Sequence, residues 1–212
     1  MFKKVHSFLM AKSYDYAMRS TEKKCLHEWR MSLLSQAKGE LLEIGAGTGV
    51  NLPHYPERVT QMTLSEPDMQ MRKILQKKTL SMQKTRVNIT HWGIESIDMP
   101  DSSFDTIVST LVLCSVPHLE NSLKEIYRLL RPQGTFLFLE HIISDHPQTL
   151  SWQRRIEPFW KICAGNCRLT RDTATAIRAS GLRIKQLTEA PMTGTPAFVS
   201  RTIRGAASKP EL

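Results

Sequence analysis

The chain has no long apolar run, little cysteine and few aromatics, and each shortage excludes something. No stretch approaches the ~20 apolar residues of a membrane-spanning helix. The segment Met1-Phe2-Lys3-Lys4-Val5-His6-Ser7-Phe8-Leu9-Met10 has two lysines and a short apolar patch broken by His6 and Ser7, so it does not read as a signal peptide. Cys25, Cys114, Cys163 and Cys167 lack the repeated C-x-x-C spacing of a zinc module. No metal is expected from that spacing, and the thiols read as reduced structural residues of a cytoplasmic protein in preference to a metal site or a disulfide. Aromatics make up 7% of the residues, and none interleave the basic cluster Arg72, Lys73, Lys77, Lys78, Lys84 and Arg86. Base stacking is therefore not indicated, and nucleic acid is not the expected partner. With a net charge of +9, a solvated helix face explains the cluster, and peripheral contact with an anionic membrane stays open. No G-x-x-x-x-G-K-[ST] occurs, which excludes a P-loop.

An apolar fraction of 41% fits one globular domain over residues 1–212. Its most informative stretch is Leu41-Leu42-Glu43-Ile44-Gly45-Ala46-Gly47-Thr48-Gly49, with Glu66 closing the next apolar run. Apolar residues, an acid and three alternating glycines describe a buried strand turning sharply into a helix. The missing Cβ atoms let a ligand lie against the backbone. A carboxylate at Glu66 suits the two hydroxyls of a ribose. The sixth position of a G-x-G-x-x-G motif is Val50 here, which departs from a nicotinamide or flavin site. Glu43 would also repel a pyrophosphate. S-adenosylmethionine carries a sulfonium cation, a free amino group and no phosphate, so an acid there is an asset. A glycine turn without a ligand is the bland alternative.

Apolar positions Met18, Cys25, Leu26, Trp29, Leu33 and Leu34 predict a helix over 14–36, within an N-terminal helical cap of residues 1–38. Strands are expected at Glu40–Ala46, Gln61–Glu66, Val87–Trp92, Phe104–Val112, Thr135–His141, Ile184–Glu189 and Phe198–Arg204. Helices are expected from Pro67 to Met82, around Leu119–Leu130, at Trp152–Ile162 and at Asp172–Ser180, with 205–212 a loose tail. Alternating strands and helices predict a mainly parallel sheet covered on both faces. The connection Ala190–Ala197 is too short for a helical crossover, so the last two strands should pair antiparallel. The fold class is α/β: a three-layer, Rossmann-like, seven-stranded sheet with a reversed last strand, its core over 39–204.

From about Tyr14 onward the chain resembles the class I S-adenosylmethionine-dependent methyltransferases. Leu42–Gly49, Glu66-Pro67, Met99-Pro100-Asp101-Ser102-Ser103-Phe104-Asp105 and Leu129-Leu130-Arg131-Pro132-Gln133-Gly134 carry the resemblance. Thr110–Val116, Glu140-His141, Trp152-Gln153, Pro158-Phe159-Trp160 and Cys167-Arg168-Leu169-Thr170-Arg171 look like the branch containing thiol S-methyltransferases. Quinone C-methyltransferases and phospholipid N-methyltransferases look more distant. Pro196-Ala197-Phe198-Val199-Ser200 departs from that branch's usual Pro-His-Ile-x-Gly.

The resemblance implies cofactor contacts at Glu43, Gly45, Ala46, Gly47, Gly49, Glu66, Pro67, Gly93, Ile94, Glu95, Thr110 and Leu111. Gly93 stands where relatives often place an acid for the adenine amino group, so Glu95 or backbone contacts would replace it. The acceptor is expected beyond the ends of the fourth and fifth strands, near Cys114, Ser115, Glu140, Trp152, Trp160 and Arg171. His141 is the candidate base or thiolate-stabilising group. Core packing is the competing reading for Trp92, Trp152 and Trp160. The expected reaction moves a methyl group from S-adenosylmethionine to a small, apolar acceptor, with sulfur leading and carbon, nitrogen or oxygen behind it, leaving S-adenosylhomocysteine. A cofactor-binding protein without chemistry is the alternative class.

Overall fold

The computed structural model describes residues 15–80, 82 and 85–211. The N-terminal ten residues, Tyr14 and Lys84 lie outside them. Helix α1 covers residues 15–34 and contains a π-turn at Glu22–Leu26 before its last segment, His27–Leu34. Strands β1 (Gly39–Ile44), β2 (Val59–Ser65) and β3 (Arg86–Thr90) are followed by β4 (Phe104–Thr110) and β5 (Leu130–His141). Helices α2 (Met69–Thr79) and α3 (Leu119–Leu129) precede β3 and β5 respectively. The chain continues through α4 (Pro147–Cys163), α5 (Thr173–Ala179), β6 (Arg183–Pro191), the short turn α6 (Ala197–Ser200) and β7 (Arg201–Ser208).

The sheet order is β3-β2-β1-β4-β5-β7-β6. The first five strands run parallel, and β7 lies antiparallel between β5 and β6. The expected reversal is therefore present. Strand periodicity sorts the core onto two faces. Leu42, Ile44, Ile107, Phe136 and Phe138 meet α3 and α5 through Leu123, Ile126, Leu129 and Ile177. Leu41, Met62, Leu64, Val108, Leu137 and Leu139 meet α1 and α2 through Leu26, Leu33, Leu34 and Leu75. Asp68 caps α2, accepting from the amides of Gln70 at 2.8 Å and Met71 at 3.0 Å.

The C-terminal end corrects the sequence reading. Residues 197–200 form a helical turn, so the last strand starts at Arg201 instead of Phe198. Gly205–Ser208, expected as a loose tail, continue β7 and pair with both neighbours. A Cβ on Gly205 would stand 2.1 Å from the Gln186 carbonyl oxygen, so this crossing admits only glycine. Helix α4 begins at Pro147, earlier than Trp152, because proline's missing N–H is harmless in a first turn. Among the described residues, no helix is long and apolar enough to cross a membrane.

Candidate functional site

The strand order reverses between β1 and β4, and ligands of open α/β sheets bind beyond the carboxyl ends at such a point. The glycine turn follows β1 there. Gly45, Gly47 and Gly49 all have positive φ, at 60°, 56° and 80°. Their surroundings differ. A Cβ on Gly45 would lie 2.6 Å from Val112, and one on Gly49 would lie 2.8 Å from both Leu52 and Leu75. At Gly47 the nearest atom is the Gly45 carbonyl oxygen at 3.9 Å. Two glycines thus serve packing, and the middle one faces open space. The Gly47 amide donates to Glu66 at 2.9 Å, and the Asp68 amide donates to its other carboxylate oxygen at 2.7 Å. Burial raises the Glu66 pKa against these two bonds. Each oxygen retains a second lone pair. Ala46 is buried with α1, and Pro67 is exposed at the mouth.

Glu43 lies at the heart of a buried polar ladder. Its carboxylate accepts from Asn51 Nδ2 and from the Tyr55 hydroxyl, each at 2.8 Å. Arg30, 5% exposed, donates to Asn51 Oδ1 at 2.7 Å, to Thr110 Oγ1 at 2.9 Å and to Glu22 at 3.0 Å. Burial lifts the Glu43 pKa to about 7, although Tyr55, Asn51 and the Arg30 charge all pull it down. Sequence reasoning missed Arg30, Asn51 and Tyr55. A charged residue within an apolar helical pattern was the available signal for Arg30. Thr110 joins the ladder, and Leu111 follows it with a positive φ of 59°, its amide bonded to Leu139 O at 2.7 Å.

On the far side of β2, Gly93 is exposed and a Cβ there would touch nothing within 4 Å. Ile94 packs into the core, and Trp92 packs against it. Glu95 accepts from the His118 amide at 2.7 Å, directly before α3. Its Oε1 is thereby engaged with a helix start.

The acceptor-side residues separate into supports and a cluster. Glu140 is fully buried. It accepts from Ser109 Oγ at 2.7 Å and from the amides of Val112, Leu113 and Cys114 at 3.2, 3.1 and 3.4 Å. This carboxylate holds the loop leaving β4. Arg171 holds the same loop from outside, donating to the carbonyls of Leu113 and Val116. Trp152 is 56% exposed, with Arg155 over its ring. The cluster itself is Cys114, His141 and Cys167, whose ligating atoms all lie within 4.8 Å of one another. Cys167 Sγ is 3.6 Å from His141 Nε2 and 3.3 Å from Trp160 Nε1, which donates to it. Ser115 Oγ is 3.5 Å from Cys114 Sγ. The Cys114 hydrogen bond holds the Cys167 pKa below the usual thiol range, burial opposes it, and the His141 hydrogen bond and charge add to it. Burial alone would depress His141, yet the Cys167 hydrogen bond and charge raise its pKa. Cys167 was read from sequence as a structural thiol and as part of the Cys167–Arg171 resemblance, not as a site residue.

Residues 42–138 match the model of a methyltransferase domain. Over 168 residues the chain is 34% identical to thiol S-methyltransferase TMT1B of Rattus norvegicus, an alignment spanning 78% of this chain and 68% of that protein. It is 32% identical to thiol S-methyltransferase TMT1A of Homo sapiens over 184 residues, spanning 84% and 75%. Among solved structures, geranyl diphosphate C-methyltransferase from Streptomyces coelicolor A3(2), in complex with Mg2+, geranyl diphosphate and S-adenosyl-L-homocysteine, superposes with a TM-score of 0.67. That match has 12% identity and covers 87% of this chain and 76% of that one.

Proposed function

The chain belongs to the class I S-adenosylmethionine-dependent methyltransferases, and on that premise we propose that its acceptor is a small thiol, converted to the methyl thioether. The carrying observation is the identity to two thiol S-methyltransferases over more than three-quarters of this chain. The residues present fit the cofactor. At Gly47 and Gly93 the backbone faces open space, with no atom nearer than 3.9 Å to where a Cβ would stand, which leaves room for a ligand against the chain. Glu66 has acceptor capacity for ribose hydroxyls, and Glu43 is a buried acid behind the turn.

When bound, S-adenosylmethionine supplies an electrophilic methyl group on a sulfonium sulfur. The chain's own residues then have four tasks. Glu66 orients the ribose. Glu43, fixed by Asn51 and Tyr55, favours the cationic methionine half. Glu140 and Arg171 fix the loop after β4, so the acceptor approaches along one line. His141, at the carboxyl end of β5, stabilises the acceptor thiolate. A thiol needs little further activation, since an ordinary cysteine-type thiol ionises near ~8.5 and its anion is strongly nucleophilic.

The deciding experiment follows S-adenosylhomocysteine release with alkyl and aryl thiols beside phenols and amines. The expected result is thiol-dependent release, with the methyl thioether identified by mass. Release only with phenols or amines overturns the sulfur reading and keeps the reaction class. His141→Ala should slow thioether formation at least tenfold while leaving cofactor affinity unchanged; normal turnover removes His141 from this role.

A further inference from the structure

We propose that Cys114, His141 and Cys167 hold one Zn2+ ion, with its fourth position open to the sulfur of the acceptor. The ion site stands on geometry alone, and only the occupant of the fourth position rests on the thiol reading above. The three side chains come from the loop after β4, the end of β5 and the segment after α4, and their ligating atoms fall within 4.8 Å of one another. Zinc bonds of roughly 2.0–2.3 Å place tetrahedral neighbours roughly 3.5–3.8 Å apart. The Cys167 Sγ to His141 Nε2 distance is already 3.6 Å. Two thiolates and a neutral imidazole balance a divalent charge, and soft sulfur ligands select zinc over the hard oxygen-seeking cations.

The surroundings are those that orient metal ligands. The Trp160 indole N–H donates to Cys167 Sγ at 3.3 Å, and the Arg168 backbone hydrogen-bonds the His141 ring. The Arg168 amide donates to Cys114 O at 2.9 Å, which ties the two cysteine segments together. Glu140 anchors the Cys114 amide from below. Cys114 and His141 are 2% and 3% exposed, whereas Cys167 is only partly covered, so the cluster has one open side. Three protein ligands with an open position is the arrangement of a reactive zinc site, while structural zinc takes four. A thiol entering there loses its proton to solvent and gains a Zn–S bond. On methyl transfer the acceptor sulfur's lone pair forms the new S–CH3 bond as the methyl–sulfonium bond of S-adenosylmethionine breaks, its electron pair staying on the sulfur of the departing S-adenosylhomocysteine, and the neutral thioether, a weaker ligand, leaves the ion.

The test uses the full chain, prepared reduced and without chelator, titrated with Zn2+ alone and with Co2+ alone. Expected are a single equivalent of either ion and an intense thiolate-to-cobalt absorption. Cys167→Ser and His141→Gln should each weaken binding at least tenfold, with Cys163→Ser, an exposed cysteine outside the cluster, unchanged. The wild-type stoichiometry and the Cys167→Ser result stand even where the buried Cys114→Ser variant fails to fold. Absence of a stoichiometric ion, or binding that survives these substitutions, overturns the site. Small thiols should shift the cobalt spectrum and amines should not; an unmoved spectrum overturns sulfur ligation. Metal bound by this cluster without any thioether product leaves the ion site standing and sinks the thiol reading. Undiminished thioether formation by the metal-free chain keeps the thiol reading and overturns the ion's open position as the place of the acceptor sulfur.

Discussion

At the scale of single residues, the two acids of the proposed cofactor site have different surroundings. Glu66 is tied by backbone amides alone, so replacing it disturbs few side chains. Glu66→Ala should weaken S-adenosylmethionine binding by about 1–3 kcal/mol, read by calorimetry; unchanged affinity would remove Glu66 from the site. Glu43 behaves differently because burial holds its pKa at about 7. Below that pH the carboxyl is protonated, and binding a cationic methionine group must expel the proton. Affinity should therefore rise with pH from 5.5 to 7.5, by up to about tenfold per unit on the acid side, and Glu43→Gln should flatten the profile. The unliganded protein offers a second check. A carboxyl whose pKa is raised on folding contributes stability below its unfolded value of 4.5, and that contribution is lost as pH rises to about 7. The thermal midpoint of Glu43→Gln relative to wild type should thus be higher at pH 8 than at pH 5.

At the scale of elements, the turn after β1 separates packing from binding within one motif. Gly45→Ala combines a positive φ with a 2.6 Å approach to Val112, and should cost about 2 kcal/mol or more of stability. Gly47→Ala has the same kind of φ but nothing nearer than 3.9 Å, and should cost only about 1 kcal/mol. Its cofactor affinity should nevertheless fall at least as far as that of Gly45→Ala; denaturant midpoints and binding isotherms on both variants separate the effects. This motif was legible in the sequence because its residues are local: Glu43 to Gly49 make their own turn, and Glu66 ends the adjacent strand. The acceptor side was legible only in pieces. Cys114, His141 and Cys167 meet because β4 and β5 are neighbours and the chain returns after α4, which no spacing displays. Glu140, a conspicuous acid beside His141, accepts from the amides of one loop, a bonding pattern that no spacing displays. Arg30 falls on the helix face of Leu26, Leu33 and Leu34, but the ladder was not legible because its partners Asn51 and Thr110 lie on other elements.

At the scale of the whole molecule, the sheet's reversed end joins the cofactor half to the acceptor half. The antiparallel pairing followed from a connection too short for a crossover, so the topology was readable. The extent of β7 was not, since Gly205, Ala206 and Ala207 lack the branched side chains that mark a strand. Small residues are required there for a physical reason: β7 is flanked on both sides, and Gly205 lies against the Gln186 carbonyl. Ala206 and Ala207 are 4% and 0% exposed, and the Lys209 ammonium donates to Leu130 O at 2.9 Å beyond them. Residues 205–209 therefore close the sheet against β5, the strand that presents His141. Ending the chain after Arg204 would leave backbone groups of both β5 and β6 unpaired and open the core beside Leu137 and Phe138. Such a protein should lose its cooperative thermal transition and its cofactor binding together. Ending it after Lys209 removes only 210–212 and should leave both near the wild-type values. Circular dichroism melts and binding isotherms on the two truncations decide the point, and a folded, cofactor-binding chain ending at Arg204 would show that β5 holds the site without β7.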